Sequence, residues 1–180
     1  MPKGLLLIDI QNDYFKGGKS PLANPLDALA NAQKMLFSFR LAGLPIIHVQ
    51  HVNIREGATF FLPDTHGVMI HDSLAPLENE FVVVKNTPNS FYGTGLAGII
   101  EWNQITELVV CGMMSHMCVD TTVRAAKDFG LIVTLLEDAC ATKDLTWNGE
   151  TIPAETVHKT FMAALNGMFA KVIKTDDFIF

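Results

Sequence analysis

Short, nearly continuous apolar runs recur along this chain, at residues 5–8, 45–49, 81–84, 107–113, 131–136 and 170–173. Branched side chains dominate them and they do not alternate with polar positions, which is the pattern of strands buried on both faces of a parallel sheet. Between the runs lie stretches with helix start and stop signals. In the clearest, Asn24 is placed to cap, Pro25 suits the first turn and Gly43 suits a left-handed stop. Comparable stretches cover residues 94–102, 118–129 ahead of Gly130, and 153–166 ahead of Gly167. Such alternation predicts one α/β domain over residues 1–180: a single doubly wound, mostly parallel six-stranded sheet with helices on both faces, a Rossmann-like three-layer arrangement. The exception is the segment 52–79, where Gly57, Pro63, Gly67 and Pro76 interrupt any period. A segment of this kind is expected to cover a site or a partner.

Composition narrows the function classes. A chain of 180 residues buries roughly 70% of its unfolded surface on folding, so a core forms without disulfides or a structural metal. Hydrophobic residues make up 49% and charged residues 18%, and the mean hydropathy is +0.26. That apolar excess predicts a homo-oligomer, a dimer or tetramer, with part of it in a subunit interface. The net charge of -6 argues against a nucleic-acid partner, because such affinity rests on clustered Lys and Arg. The first apolar run is ended by Asp9, too soon for a secretory signal or a membrane span, so a cytoplasmic protein with no membrane partner is expected. Cys111, Cys118 and Cys140 are scattered without a CxxC pair, which predicts reduced thiols rather than a disulfide framework or a zinc knuckle.

In open α/β sheets, ligands bind beyond the carboxyl ends of the strands. Three reactive side chains fall there: Asp9 after the first strand, Lys85 after residues 81–84, and Cys118 after 107–113 through the turn Gly112-Met113-Met114-Ser115-His116-Met117. Asp9 stands between Ile8 and Ile10, where an ionised group is costly unless paired, and Lys85 is the candidate partner. Cys111 lies inside its strand and reads as a small buried hydrophobe. Cys118 instead opens a predicted helix, where free N–H groups, the helix dipole and a nearby ammonium are expected to favour the thiolate and make it reactive below the pH of a free cysteine. The same amide-rich turn is suited to stabilise the oxyanion of a tetrahedral intermediate.

The segment Leu7-Ile8-Asp9-Ile10-Gln11-Asn12-Asp13-Tyr14-Phe15 resembles the opening of the isochorismatase-like, nicotinamidase-related cysteine hydrolases. Lys85 followed by Asn89-Ser90-Phe91-Tyr92-Gly93-Thr94-Gly95-Leu96 resembles the family's lysine segment, and Val110-Cys111-Gly112 through Met117-Cys118-Val119 its nucleophile segment. Thr122, Ala125, Ala126 and Gly130 extend the likeness, as does Glu137-Asp138-Ala139-Cys140-Ala141-Thr142. The resemblance implies that Cys118 attacks a carbonyl, Asp9 takes its proton, Lys85 holds the pair, and an acyl-enzyme forms and is hydrolysed. It also implies a cis peptide at Met113-Met114 and an oxyanion hole made by the backbone N–H groups of Met114 and Cys118.

Two departures narrow the reading. Nicotinamidases of this superfamily carry an Asp-x-His metal site after the second strand, whereas this chain has His48-Val49-Gln50-His51-Val52-Asn53. No metal is therefore assigned to His66, His71 or any other residue, and no cofactor is called for. Vinyl-ether cleavage by true isochorismatases needs no thiol nucleophile, so Cys118 favours C–N cleavage. Gly57-Ala58-Thr59-Phe60-Phe61-Leu62-Pro63 looks like a motif of a metal-free branch that includes hydrolases of biuret-type ureides and of a lactam antibiotic. Around the thiol, Phe15, Phe60, Phe61 and Phe91 are candidate pocket walls, and Gln11, Asn89, Ser90 and Ser115 are candidates to orient a small polar substrate. The resulting expectation is a cysteine hydrolase acting on an amide, ureide or lactam. Its alternatives are a metal-assisted nicotinamidase, a vinyl-ether hydrolase and a non-catalytic α/β binding protein.

Overall fold

The computed structural model describes residues 2–180. The chain runs β1 (Lys3–Ile8), α1 (Pro25–Ala42), β2 (Ile46–His51), β3 (Phe81–Lys85), α2 (Leu96–Trp102), β4 (Glu107–Met113), α3 (Asp120–Asp128), β5 (Ile132–Ala141), β6 (Leu145–Trp147), β7 (Glu150–Ile152), α4 (Ala154–Leu165) and β8 (Lys171–Ile173). Six strands form one sheet in the order β3-β2-β1-β4-β5-β8, and every neighbouring pair is parallel. The order steps outward from β1 in both directions, so the ends of β1 and β4 meet where the winding reverses, the usual place for a crevice.

The apolar runs are continuous because both faces are covered. All seven residues of β4 are buried. One core layer joins Ala28, Leu29, Met35, Leu36 and Phe39 of α1 to Leu5, Leu7, Val109 and Leu136 of the sheet, with Phe61, Val68 and Leu74 of the long connection. The other joins Leu96 and Ile100 of α2, Val123 and Ala126 of α3, and Met162 and Leu165 of α4 to Leu6, Ile8, Val110 and Leu135. Adjacent strand residues thus feed opposite layers, as the period-two geometry requires. No helix among the described residues is long and apolar enough to cross a membrane.

Some boundaries differ from the sequence reading. Asn24 adopts a left-handed conformation and its side chain caps nothing, while Gly43 closes α1 as expected. The strand expected over 131–136 continues to Ala141, with a register irregularity opposite Val110 and Gly112. The helix expected over 118–129 is a single π turn, Ser115–Val119, followed by α3. The antiparallel pair β6 and β7, closed by Asn148 and Gly149 at positive φ, is absent from the pattern of long apolar runs.

Gly112 sets how closely β4 lies against β1. It sits at φ 145, paired with Ile8, and a Cβ there would stand 2.2 Å from the Ile8 carbonyl oxygen. Gly112→Ala is expected to cost about 3 kcal/mol of stability, from strain plus displacement of the strand. Gly98 lies within α2 with open space around it, and Gly98→Ala is expected to gain about 0.5–1 kcal/mol. Urea denaturation of the two variants checks both signs.

Candidate active site

Four neighbouring strands deliver their carboxyl ends to one place. Asp9 follows β1, His51 ends β2, Lys85 ends β3, and the π turn after β4 carries Cys118. Asp9 is fully buried and Lys85 nearly so. Asp9 has φ 51 and its amide donates to Val49 O at 3.0 Å, which turns its carboxylate toward the end of β3. His51 and Lys85 are register partners, so their side chains leave the sheet together.

Lys85 Nζ is the centre of the cluster. It lies 2.7 Å from Asp9 Oδ2, 3.3 Å from Cys118 Sγ and 3.0 Å from His51 Nδ1, and it donates to Thr87 O at 3.0 Å. The carboxylate oxygens of Asp9 have no directed hydrogen-bond partner, and the 2.7 Å approach to Nζ is an ionic contact. Burial alone lowers the Lys85 ammonium's hold on its proton, but the Asp9 carboxylate and the thiol reverse this and raise it, so the cation persists. Burial raises Asp9, and Lys85 pulls it back only in part. Burial, then the Asp9 carboxylate, push the Cys118 thiol well above its ordinary range despite Lys85.

This corrects the expectation of a preformed thiolate. Cys118 does not open an α-helix but lies within the π turn, itself buried and facing a carboxylate. At rest the proton stays on sulfur. Passing it to Asp9 would leave a thiolate against an ammonium, so deprotonation is coupled to the neighbouring acid rather than complete beforehand.

The thiol faces a cleft of about 560 Å³, large enough for a small molecule. Tyr14, His51, Asn86, Met114 and His116 line it, as do residues 55–60 of the long connection, Phe60 among them. Met113-Met114 is cis. Of the expected substrate contacts, Phe60, Met114 and Cys118 lie in the wall; the others are used elsewhere. Gln11 spends its amide on the His51 backbone and on Val68 O. Phe15 packs on His71, lining a neighbouring cleft, and Phe61 is buried against Tyr14. The Asn89 side chain accepts from the Phe91 amide, Ser90 meets Thr122, and Phe91 stacks on Phe129. Ser115 ties the π turn to His158 and Ala141 O. Conversely, His51 is a member of the cluster that sequence reading passed over, although it ends a strand as Lys85 does.

One group of potential metal ligands among the described residues is compact, namely Asp9, His51 and Cys118, whose ligand atoms lie within 4.8 Å of one another. The Lys85 ammonium already touches all three, so a cation there would meet a resident positive charge. His71 accepts from the Ser73 amide and His66 lies beside Asn12.

An isochorismatase domain model matches residues 3–177. The chain is 52% identical to the isochorismatase family protein YddQ of Bacillus subtilis, over 99% of each chain. It is similar to a streptothricin hydrolase of Streptomyces noursei, at 32% identity over 84% of this chain and 55% of that one. It is also similar to an N-carbamoylsarcosine amidase of Arthrobacter, at 28% over 66% and 52%. A solved isochorismatase-family structure from Oleispira antarctica superposes with a TM-score of 0.94 at 45% identity, covering 98% of this chain and 95% of that one.

The electrostatics give a direct expectation. Alkylation of Cys118 by iodoacetamide in the native protein should rise with pH at a midpoint above the roughly 8.5 of a free cysteine. Asp9→Asn removes the charge that raises the thiol and leaves the ammonium that lowers it, so the midpoint should fall. An unshifted or higher midpoint in Asp9→Asn would show that the carboxylate does not control the thiol.

Proposed function

The chain belongs to the isochorismatase family, and from that premise we propose that it is a metal-independent cysteine hydrolase cleaving the C–N bond of a small amide, ureide or lactam. One observation carries the reading: a single buried ammonium touches both an acid at 2.7 Å and a thiol at 3.3 Å, and the thiol faces a cleft sized for a small molecule. Similarity to an amidase and to another hydrolase supports the reaction class.

In the proposed reaction the Cys118 S–H proton passes to Asp9 as sulfur bonds to the substrate carbonyl carbon. The carbonyl electron pair moves to oxygen, and backbone N–H groups of Met114 and Cys118 in the cleft wall receive that charge. The C–N bond then breaks, with the Asp9 proton going to nitrogen, and ammonia or an amine leaves. Asp9 next takes a proton from water as hydroxide adds to the thioester carbon, and the C–S bond then breaks with the Asp9 proton passing to sulfur, which releases the carboxylic acid and restores both the thiol and the Asp9 carboxylate. Lys85 stays protonated throughout, offsetting negative charge as it moves from oxygen to sulfur and back. The missing Asp-x-His and the position of the ammonium among the three candidate ligands weigh against a metal-assisted nicotinamidase.

Assayed against a panel of small amides, ureides and lactams, Cys118→Ser should lose about 10³-fold or more in kcat/KM, and Asp9→Asn a comparable factor, with Cys118→Ser keeping the wild-type unfolding transition. Full activity in Cys118→Ser would sink the proposal. So would stoichiometric zinc or iron in the purified protein together with deamidation of nicotinamide.

A further inference from the structure

We infer that His51 is a substrate-binding residue of the hydrolase proposed above, its ring locked by Lys85 as the neutral tautomer so that Nε2–H is offered to an acceptor oxygen on the substrate. The inference rests on that reading of the site, but its evidence is separate. Lys85 Nζ, a donor only, lies 3.0 Å from Nδ1, so Nδ1 must accept and the ring proton of the neutral imidazole must sit on Nε2. Burial, and then the same ammonium, bring the ring down to about 4, which keeps it neutral at ordinary pH.

The backbone that carries the ring is held in place. It is clamped at both ends by one side chain, the His51 amide donating to Gln11 Oε1 at 2.8 Å and the His51 carbonyl accepting from Gln11 Nε2 at 2.9 Å. Every polar contact of the ring with the protein is made through Nδ1, toward Lys85, Cys118 and Asp9. The opposite edge is left for the cleft, which His51 lines. His51 is also a poor rival to Asp9 as the base for the thiol, because the Nδ1 lone pair is taken by Lys85 and Sγ is 4.0 Å away. A ring that close to sulfur stands beside any acyl group held there. A second oxygen on the substrate then meets a donor whose geometry the protein has already fixed, an economy of ordering that raises affinity.

Two carbonyl compounds of similar size separate this role from a structural one: malonamide, which has a second oxygen, and butyramide, which lacks it. In Cys118→Ala protein, NMR titration should show malonamide binding about tenfold more tightly, the worth of one good hydrogen bond. Adding His51→Asn, which can still accept from Lys85 but does not reach the cleft with an N–H, should abolish the preference. His51→Gln, which carries an N–H to the Nε2 position, should restore part of it. Nitrogen-proton correlation spectra of the imidazole, which need no His51 variant, should show the Nε2–H tautomer and a shift of that resonance with malonamide. Equal affinities in Cys118→Ala, a preference that survives His51→Asn, or an Nδ1–H tautomer would each overturn the inference. Turnover that needs Cys118 but ignores His51 would leave the hydrolase reading standing and remove only this one. Selective binding through His51 in a protein with no turnover would do the reverse.

Discussion

A carboxylate and an ammonium buried 2.7 Å apart at the carboxyl edge of the sheet constrain the rest of this structure. The Asp9 carboxylate has no directed hydrogen-bond partner and the Lys85 ammonium no other counter-ion, and removing one charge from such a pair typically costs about 3–5 kcal/mol. Asp9 follows β1 and Lys85 ends β3, strands that are not neighbours, so β2 must lie between them in register. Gln11 helps to fix that register by stitching the end of β2 to the chain after β1. On the other side, Gly112 lets β4 approach β1 closely enough to bring the π turn, and with it Cys118, against the same ammonium.

The pair also decides the protonation of everything around it. Lys85 is cationic because Asp9 is beside it; the thiol stays protonated because it is buried beside Asp9; His51 is neutral because burial and Lys85 disfavour its cation. A site built this way stores no reactive thiolate. The sulfur becomes a nucleophile only as Asp9 accepts its proton, a coupling suited to a substrate whose nitrogen must then receive that proton to leave.

Much of this was legible in the sequence where one physical cause dominated. Burial on both faces writes six apolar runs, and a charge placed directly after such a run, as at Asp9 and Lys85, stands out. Strand order was not legible, because parallel pairing leaves no local signature. His51 was hidden because Gln50 and His51 follow the apolar part of β2 and read as its polar exit, although the ladder runs through to His51. The hairpin of β6 and β7 did carry a signal, Asn148-Gly149, but its short and mostly exposed flanks lack an apolar run. Gln11, Ser90 and Ser115 lie near cluster residues along the chain and Phe61 follows the end of β2, yet their side chains serve packing and hydrogen bonds within the protein. Closeness in sequence does not settle which way a side chain faces. The thiolate expectation failed for a similar reason: a helix start was visible, whereas burial beside a carboxylate was not.

The central claim is that Cys118 forms the covalent intermediate under control of the Asp9–Lys85 pair. Peptide-resolved mass spectrometry of protein quenched in acid during turnover tests it most directly. The predicted result is a mass increase equal to the substrate's acyl group on the Cys118 peptide, with the amine released before the acid. An acyl adduct on any other residue, or undiminished turnover after Cys118 has been fully alkylated, would contradict it.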